Sequence, residues 1–357
     1  MEKVVDKNLI LATVTEKDVC WYNPQKAPFS IHGVFFDEKR EIYTRMPNEK
    51  SKAVSELIEY LKDFTAGGRI RFSTNSKYVA LKCTNKKCFD IMTQMPISGE
   101  YGFSIYVDGK FKHFIAPCES EIINRKNNLI CFDGILYLDG NTHDIEVYFP
   151  LYHCVKEVLV GLKDGCSVTA HKPYQTTKPV VFYGSSITQG GCASHSGNDY
   201  ISLLSRWLDT DVINLGFSGN AKGETAMAEY IASLDASVFV MDYDHNAPTN
   251  EHLQSTHFPF YQTIRVKNPN TPILFLSMPP HQRPDKDILG RIEIIKNTYL
   301  KSIELGDKKT AFINGQTLFG NEDIDCCTVD ACHPNDLGFY KMAKTISPVL
   351  SKLLKNN

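Results

Sequence analysis

The chain has 357 residues, 39 basic against 41 acidic, a formal net charge of −2 and 42% hydrophobic residues. Its length suggests about two domains with substantial apolar interiors. The near-balance of charge excludes a polyelectrolyte surface and argues against nucleic acid as a partner, and no stretch approaches the roughly 20 apolar residues of a membrane span.

The first segment, "MEKVVDKNLILATVTEKDVCW", has charges on both sides of a short apolar run and no small-residue cleavage site. It does not read as a signal peptide, so a cytoplasmic location is expected. The 11 cysteines are odd in number and scattered, with no C-x-x-C pair. Neither a zinc ribbon nor a small-domain disulfide framework is indicated, and reduced, mostly buried thiols are expected.

From about residue 28 to 170, short β-branched and aromatic runs alternate with turn signals, as in "RIRFSTNSKYVALKC", "GILYLDGNTHDIEVYF" and "EVLVGL". In "YGFSIYVDGKFKHFI" an Asp-Gly turn joins two alternating segments into a hairpin. One helix is predicted near 51–65, where Val54, Leu57, Ile58, Leu61 and Phe64 share a face before "AGG" ends it. Residues 1–172 thus read as an antiparallel β-sandwich domain. Residues 173–178, inside the proline-bounded "HKPYQTTKP", read as a linker.

From residue 179 to 357 the rhythm changes. Five buried strands, "PVVFYG", "DVINLGF", "SVFVMDYD", "PILFLSMP" and "TAFING", alternate with helical patterns, and "NDLGFYKMAKTISPVLSKLL" closes the chain. Such alternation predicts an α/β fold: a parallel sheet covered on both faces, with ligands beyond the carboxyl ends of its strands. After the first strand comes "GSSITQGG", after the second "SGNAKGE", after the third "DYDHNAP", and before the last helix "VDACHPND". One rim therefore receives a serine, a glycine, an asparagine and an Asp-x-x-His pair. That is the inventory of an acyl-transfer site: a nucleophile, a base with its orienter, and donors for an oxyanion.

These four blocks, in this order, resemble those of the SGNH hydrolases, the GDSL esterase superfamily, over roughly residues 179–357. The first half is similar to the β-sandwich of the branch that includes carbohydrate O-acetylesterases, through "TAGGRIRFSTNSKYVAL", "GEYGFSIYVDG" and "YFPLYHCVKEVLVGL". The resemblance implies a three-layer, doubly wound, flavodoxin-like five-stranded sheet preceded by a jelly-roll-like domain. It assigns the nucleophile to Ser186. Ser185 stands where the family usually has an acidic residue, a change expected to alter local hydrogen bonding without removing chemistry.

His333 suits the role of base, since imidazole ordinarily titrates near pH 6.5, and Asp330 three residues earlier can fix its tautomer. The competing reading of "DACHPND" is an Asp and a His that satisfy the start of a helix begun by Pro334. The resemblance places the backbone N–H groups of Ser186 and Gly219 with the side-chain amide of Asn246 in the oxyanion hole. Asn246 departs from the more usual Gly-x-Asn-Asp form. Its neighbours Asp242, Asp244 and His245 offer hydrogen bonds either to the loop or to substrate.

A metal reading of Asp244, His245, His252 and His257 fails on spacing, because the histidines do not share a helical face. "GSSITQGG" lacks the ending of a phosphate loop, and the cysteines near these blocks read as packing residues. The expectation is a cofactor-free serine esterase acting on a small-molecule or oligosaccharide ester, with acetyl as the acyl group. Acyltransferase and lipid ester or thioester hydrolase remain open on the same site, as does a carbohydrate-binding protein with little catalysis. A homo-oligomer is compatible with the sequence.

Overall fold

The computed structural model describes residues 12–88, 91–123, 126–281 and 287–355. Much of the segment read above for a cleavage signal, residues 1–11, lies outside them. The first half contributes β1 (Val19–Tyr22), β2 (Ser30–His32), β3 (Phe35–Asp37), β4 (Ile42–Thr44), β5 (Arg69–Thr74), β6 (Tyr78–Lys86), β7 (Phe103–Val107), β8 (Lys110–Ile115), β9 (Leu129–Tyr137), β10 (His143–Tyr148), β11 (Cys154–Lys163) and β12 (Val168–Thr169). They form two larger antiparallel sheets, one ordered β1-β11-β6-β9 and one β12-β5-β10-β7-β8 with β2 also paired to β5, and a two-stranded antiparallel sheet of β3 and β4. The predicted hairpin is β7–β8.

Alternation along the strands sends Ile70, Phe72, Ile105, Ile145 and Val147 between the sheets. The opposite face of β5 and β10 is polar but not open to water: Arg69, Arg71 and Glu146 are all buried. Arg71 pairs with Glu146 at 2.8 Å and lies 3.6 Å over the ring of Tyr174. Arg69 donates to the Tyr174 hydroxyl at 2.8 Å and pairs with Asp211 of the second half. Tyr174, in the segment expected to be a linker, is thus held by the first half, and the N–H of Gln175 donates to the Asp209 carbonyl of the second at 3.0 Å.

The single helix expected near 51–65 is instead two, α1 (Asn48–Val54) and α2 (Glu56–Leu61). Ser55 is extended and its hydroxyl accepts from the N–H of Ile58 at 3.1 Å, so it starts a new helix rather than continuing the old one. Ile58, Leu61 and Phe64 are buried, but Leu57 is 54% exposed. The apolar face is narrower than the periodicity suggested. Two further short helices, α3 (Ile97–Glu100) and α4 (Glu119–Ile123), complete this half.

The expectation that all cysteines are reduced is also corrected: Cys88 and Cys154 form a disulfide. No spacing motif announces it, because topology creates it. Strand pairing sets Cys154 opposite Lys86, which brings Cys88, two residues on, to the same place.

The second half holds β13 (Val180–Gly184), β14 (Val212–Gly216), β15 (Val238–Asp242), β16 (Ile273–Leu276) and β17 (Thr310–Ile313), all parallel in the order β14-β13-β15-β16-β17. Helices α5 (Ser186–Gln189), α6 (Tyr200–Leu208), α7 (Thr225–Ala232), α8 (Asn250–Lys267), α9 (Ile288–Glu304) and α10 (Asp336–Lys355) complete it. This is the doubly wound α/β arrangement expected, and its order reverses at β13, which places a crevice beyond Gly184. Leu61, Phe64, Met95, Leu151 and Tyr152 of the first half share one apolar cluster with Val181, Ile187 and Leu215 of the second. No helix among the described residues is long and apolar enough to cross a membrane.

Candidate active site

Strand β13 is buried throughout and ends at Gly184, where no side chain is tolerated: a Cβ would lie 2.1 Å from Thr188 Oγ1 and 2.3 Å from the Asp242 carbonyl oxygen. The chain then turns sharply into α5. Ser185 caps that helix, its Oγ accepting from the N–H of Ile187 at 3.1 Å, while its own N–H donates to Thr188 Oγ1 at 3.0 Å. The position that resemblance marks as acidic is therefore occupied by a working helix cap. Ser186 becomes the first residue of α5, at the carboxyl end of the sheet.

Ser186 Oγ lies 2.9 Å from His333 Nε2, and His333 Nδ1 lies 2.8 Å from Asp330 Oδ2. The other oxygen of Asp330 accepts from the backbone N–H of His333 at 2.7 Å. A carboxylate at Nδ1 selects the tautomer with the proton there, which leaves Nε2 to accept from the serine hydroxyl. Ala331, between the two, has φ +64°, a left-handed conformation that folds the loop back on itself. Three residues separated by up to 147 positions thus form one relay.

The other predicted residues occupy the loops on either side. Gly219 follows β14 with φ +70°, and a Cβ there would meet nothing within 4 Å. Asn246 closes a short 3₁₀ turn, Asp244–Asn246, after β15, and its side-chain amide donates to the Phe217 carbonyl at 3.0 Å. That bond ties the asparagine to the loop that carries Gly219. Asp244 is buried; its carboxylate accepts from the N–H of Met278 at 3.0 Å, and its carbonyl accepts from Arg291. Of the two uses open to it, holding the loop is the one these bonds serve. His245 Nε2 lies 3.3 Å from Cys332 Sγ, joining the residue before Asn246 to the residue before His333.

Sequence reasoning missed Cys332 in this bridge, and also Thr188 and Tyr152. The Tyr152 hydroxyl, from the first half, donates to the Ser186 carbonyl at 3.1 Å. A buried tyrosine needs such a partner, but only the fold reveals which one. Asp330, Cys332 and His333 also offer metal-type donor atoms within 4.8 Å of one another. Both ring nitrogens of His333 are already engaged by Ser186 and Asp330, so a metal there would have to break the relay.

A family model described as the GDSL-like lipase/acylhydrolase family matches residues 177–351, and one described as the N-terminus of SGNH-hydrolase-type esterases matches residues 19–168. Among solved structures, a Bacteroides ovatus protein assigned as a GDSL-like lipase is 26% identical, with TM-score 0.82 over 95% of this chain and 99% of that one. A salicylyl-acyltransferase from a tetracycline biosynthetic pathway is 17% identical, with TM-score 0.76 over 95% and 98%. An acetyl xylan esterase from Butyrivibrio proteoclasticus is 14% identical, with TM-score 0.59 over 94% and 99%. The last two share the fold. No curated protein matches the chain by sequence. With one family model on each half and a structural relative along nearly its whole length, the chain belongs to the SGNH (GDSL) hydrolase superfamily and carries that superfamily's esterase-type N-terminal domain.

Proposed function

We propose that this protein is a serine esterase that removes short acyl groups, acetyl foremost, from carbohydrate hydroxyls through an acyl-enzyme on Ser186. The observation that carries the reading is the continuous Ser186–His333–Asp330 relay, at 2.9 and 2.8 Å. Ser186 Oγ attacks the ester carbonyl as His333 Nε2 accepts its proton, and Asp330 stabilises the imidazolium so formed. The N–H groups of Ser186 and Gly219 and the amide of Asn246 receive the oxyanion. His333 returns the proton to the departing alcohol, and water repeats the sequence to release the acid. The sugar and the acetyl group rest on likeness of fold to enzymes such as the acetyl xylan esterase.

A second reading is favoured by the higher TM-score of the acyltransferase, 0.76. In it an acceptor alcohol replaces water in the second step, and the relay is unchanged. Acetylated plant oligosaccharides incubated with the protein, followed by mass spectrometry, test the first reading: loss of acetyl groups in wild type and not in Ser186→Ala is expected. Transfer of the acyl group to an added alcohol, in preference to its release as acid, would establish the second.

A further inference from the structure

Asp242 is the last residue of β15, in register with Gly184 and buried, and the relay above does not use it. Its Oδ2 accepts two hydrogen bonds, from Thr188 Oγ1 at 2.9 Å and from the Tyr200 hydroxyl at 2.8 Å. A threonine hydroxyl has a single proton. Because Asp242 takes it, the oxygen of Thr188 presents lone pairs to its other neighbour, the backbone N–H of Ser185, at 3.0 Å. The carbonyl of Thr188 is held in turn by the side-chain amide of Asn214 at 2.8 Å.

The N–H that Thr188 grips belongs to the Gly184–Ser185 peptide, one peptide before the one that joins Ser185 to the nucleophile. Fixing that plane anchors the start of the turn from which Ser186 is presented to His333. Gly184 leaves room for this arrangement, since a Cβ there would collide with both Thr188 Oγ1 and the Asp242 carbonyl. Tyr200 donates to the same carboxyl oxygen and its hydroxyl also interacts with Thr188, but of the two donors to Asp242 it is Thr188 that accepts the Ser185 N–H, so the two have different consequences. We propose that Asp242, acting through the Thr188 hydroxyl, is a positioning residue that orients the turn carrying Ser186. This rests on the reading of Ser186 as nucleophile.

The test compares five variants with wild type on a nitrophenyl acetate, with rates normalised to active sites titrated by a serine-reactive phosphonate, so that only folded molecules are counted. Thr188→Val keeps shape and loses the hydroxyl; kcat should fall by about 10- to 100-fold while KM changes by less than about twofold. Thr188→Ser restores the hydroxyl and should recover most of that loss. Asp242→Leu should match Thr188→Val, and the double variant should be no worse than either alone. Tyr200→Phe should stay within about threefold of wild type. Thr188→Val and Asp242→Leu both within twofold of wild type would overturn the proposal, and so would a Tyr200→Phe loss equal to that of Thr188→Val. Ser186→Ala, which the phosphonate cannot titrate, is assayed alongside at equal protein concentration: if it remains active, the nucleophile assignment fails, whereas an inactive Ser186→Ala with a normal Thr188→Val defeats only the role of Asp242.

Discussion

Tyr152 belongs to the first half of the chain, yet its hydroxyl bonds to the backbone carbonyl of Ser186 at 3.1 Å. The same carbonyl accepts from the N–H groups of Gly190 and Gly191. The β-sandwich half therefore reaches the backbone of the residue proposed to carry the acyl group. Leu151 adds a second contact, its carbonyl accepting from the Gln189 side-chain amide at 3.1 Å. The two halves meet at the site, and the predictions below depend on that contact as much as on the relay.

Ser186→Ala and His333→Ala should each lower kcat by on the order of 10^4, and the double variant little more, because the two groups act as one unit. Circular dichroism matching wild type would exclude unfolding as the cause. Retention of a hundredth or more of wild-type kcat in either variant would remove that residue from the relay.

Asn246→Ala should cost roughly 10^2 to 10^3 in kcat if the amide stabilises the oxyanion. Because one of its N–H bonds also holds the Phe217 carbonyl, Asn246→Asp is informative. It keeps the shape and removes both donors, so it should lose at least as much. Steady-state kinetics on a soluble ester decides the matter.

Glu100 is buried, with no ion pair among the described residues, and burial pushes its pKa up to about 8. A carboxyl whose folded value is raised contributes stability that is complete below its ordinary pKa and is lost as pH rises through the folded value. Burial and the neighbouring Asp244 also push Asp242 up to about 8, in the same direction. Wild type should therefore melt at progressively lower temperature as pH climbs from about 5 to 8. Glu100→Gln should show a shallower decline over that range, measured by thermal unfolding, and an unchanged slope would refute the assignment.

Asp211 behaves oppositely. Burial disfavours its charge, but Arg69 and His32 outweigh that and hold its pKa down to about 2. Its contribution is complete above its ordinary pKa and is lost as pH falls through the folded value. Asp211→Ala strands the fully buried Arg69 and should destabilise by about 3–5 kcal/mol at neutral pH. Denaturant titration measures this; a loss under 1 kcal/mol would mean the pair contributes little.

Denatured without reductant, the chain should take up nine alkyl groups, and all eleven after reduction, if Cys88 and Cys154 are paired and the remaining nine are free. Eleven in both cases would show the bond does not form under the conditions of preparation.

The five parallel strands and the helices between them were legible because each buried strand is a short continuous apolar run, and such runs resist confusion with the longer amphipathic patterns between them. That Ser186, Asp330 and His333 meet was anticipated from the resemblance of four blocks taken together in order; a serine after a strand, or an Asp and a His before a helix, would not alone have singled them out. Ser55 was not: a serine inside an apolar periodicity can sit on the helix surface or interrupt the helix, and the choice depends on what α1 and α2 pack against. Nothing local to Arg69 and Arg71 reveals that Tyr174 and Asp211 will cover them. The Thr188–Asp242 bond and the Cys88–Cys154 bond share that cause, since both join segments that meet only when sheets assemble.

The common apolar cluster beneath Tyr152 and Ile187 has an evolutionary implication. Modules that fold apart can be shuffled between genes with little repair, but here exchange of either portion would bare aliphatic and aromatic groups on both. The seam between the portions is therefore expected to accept change only where its two sides change together.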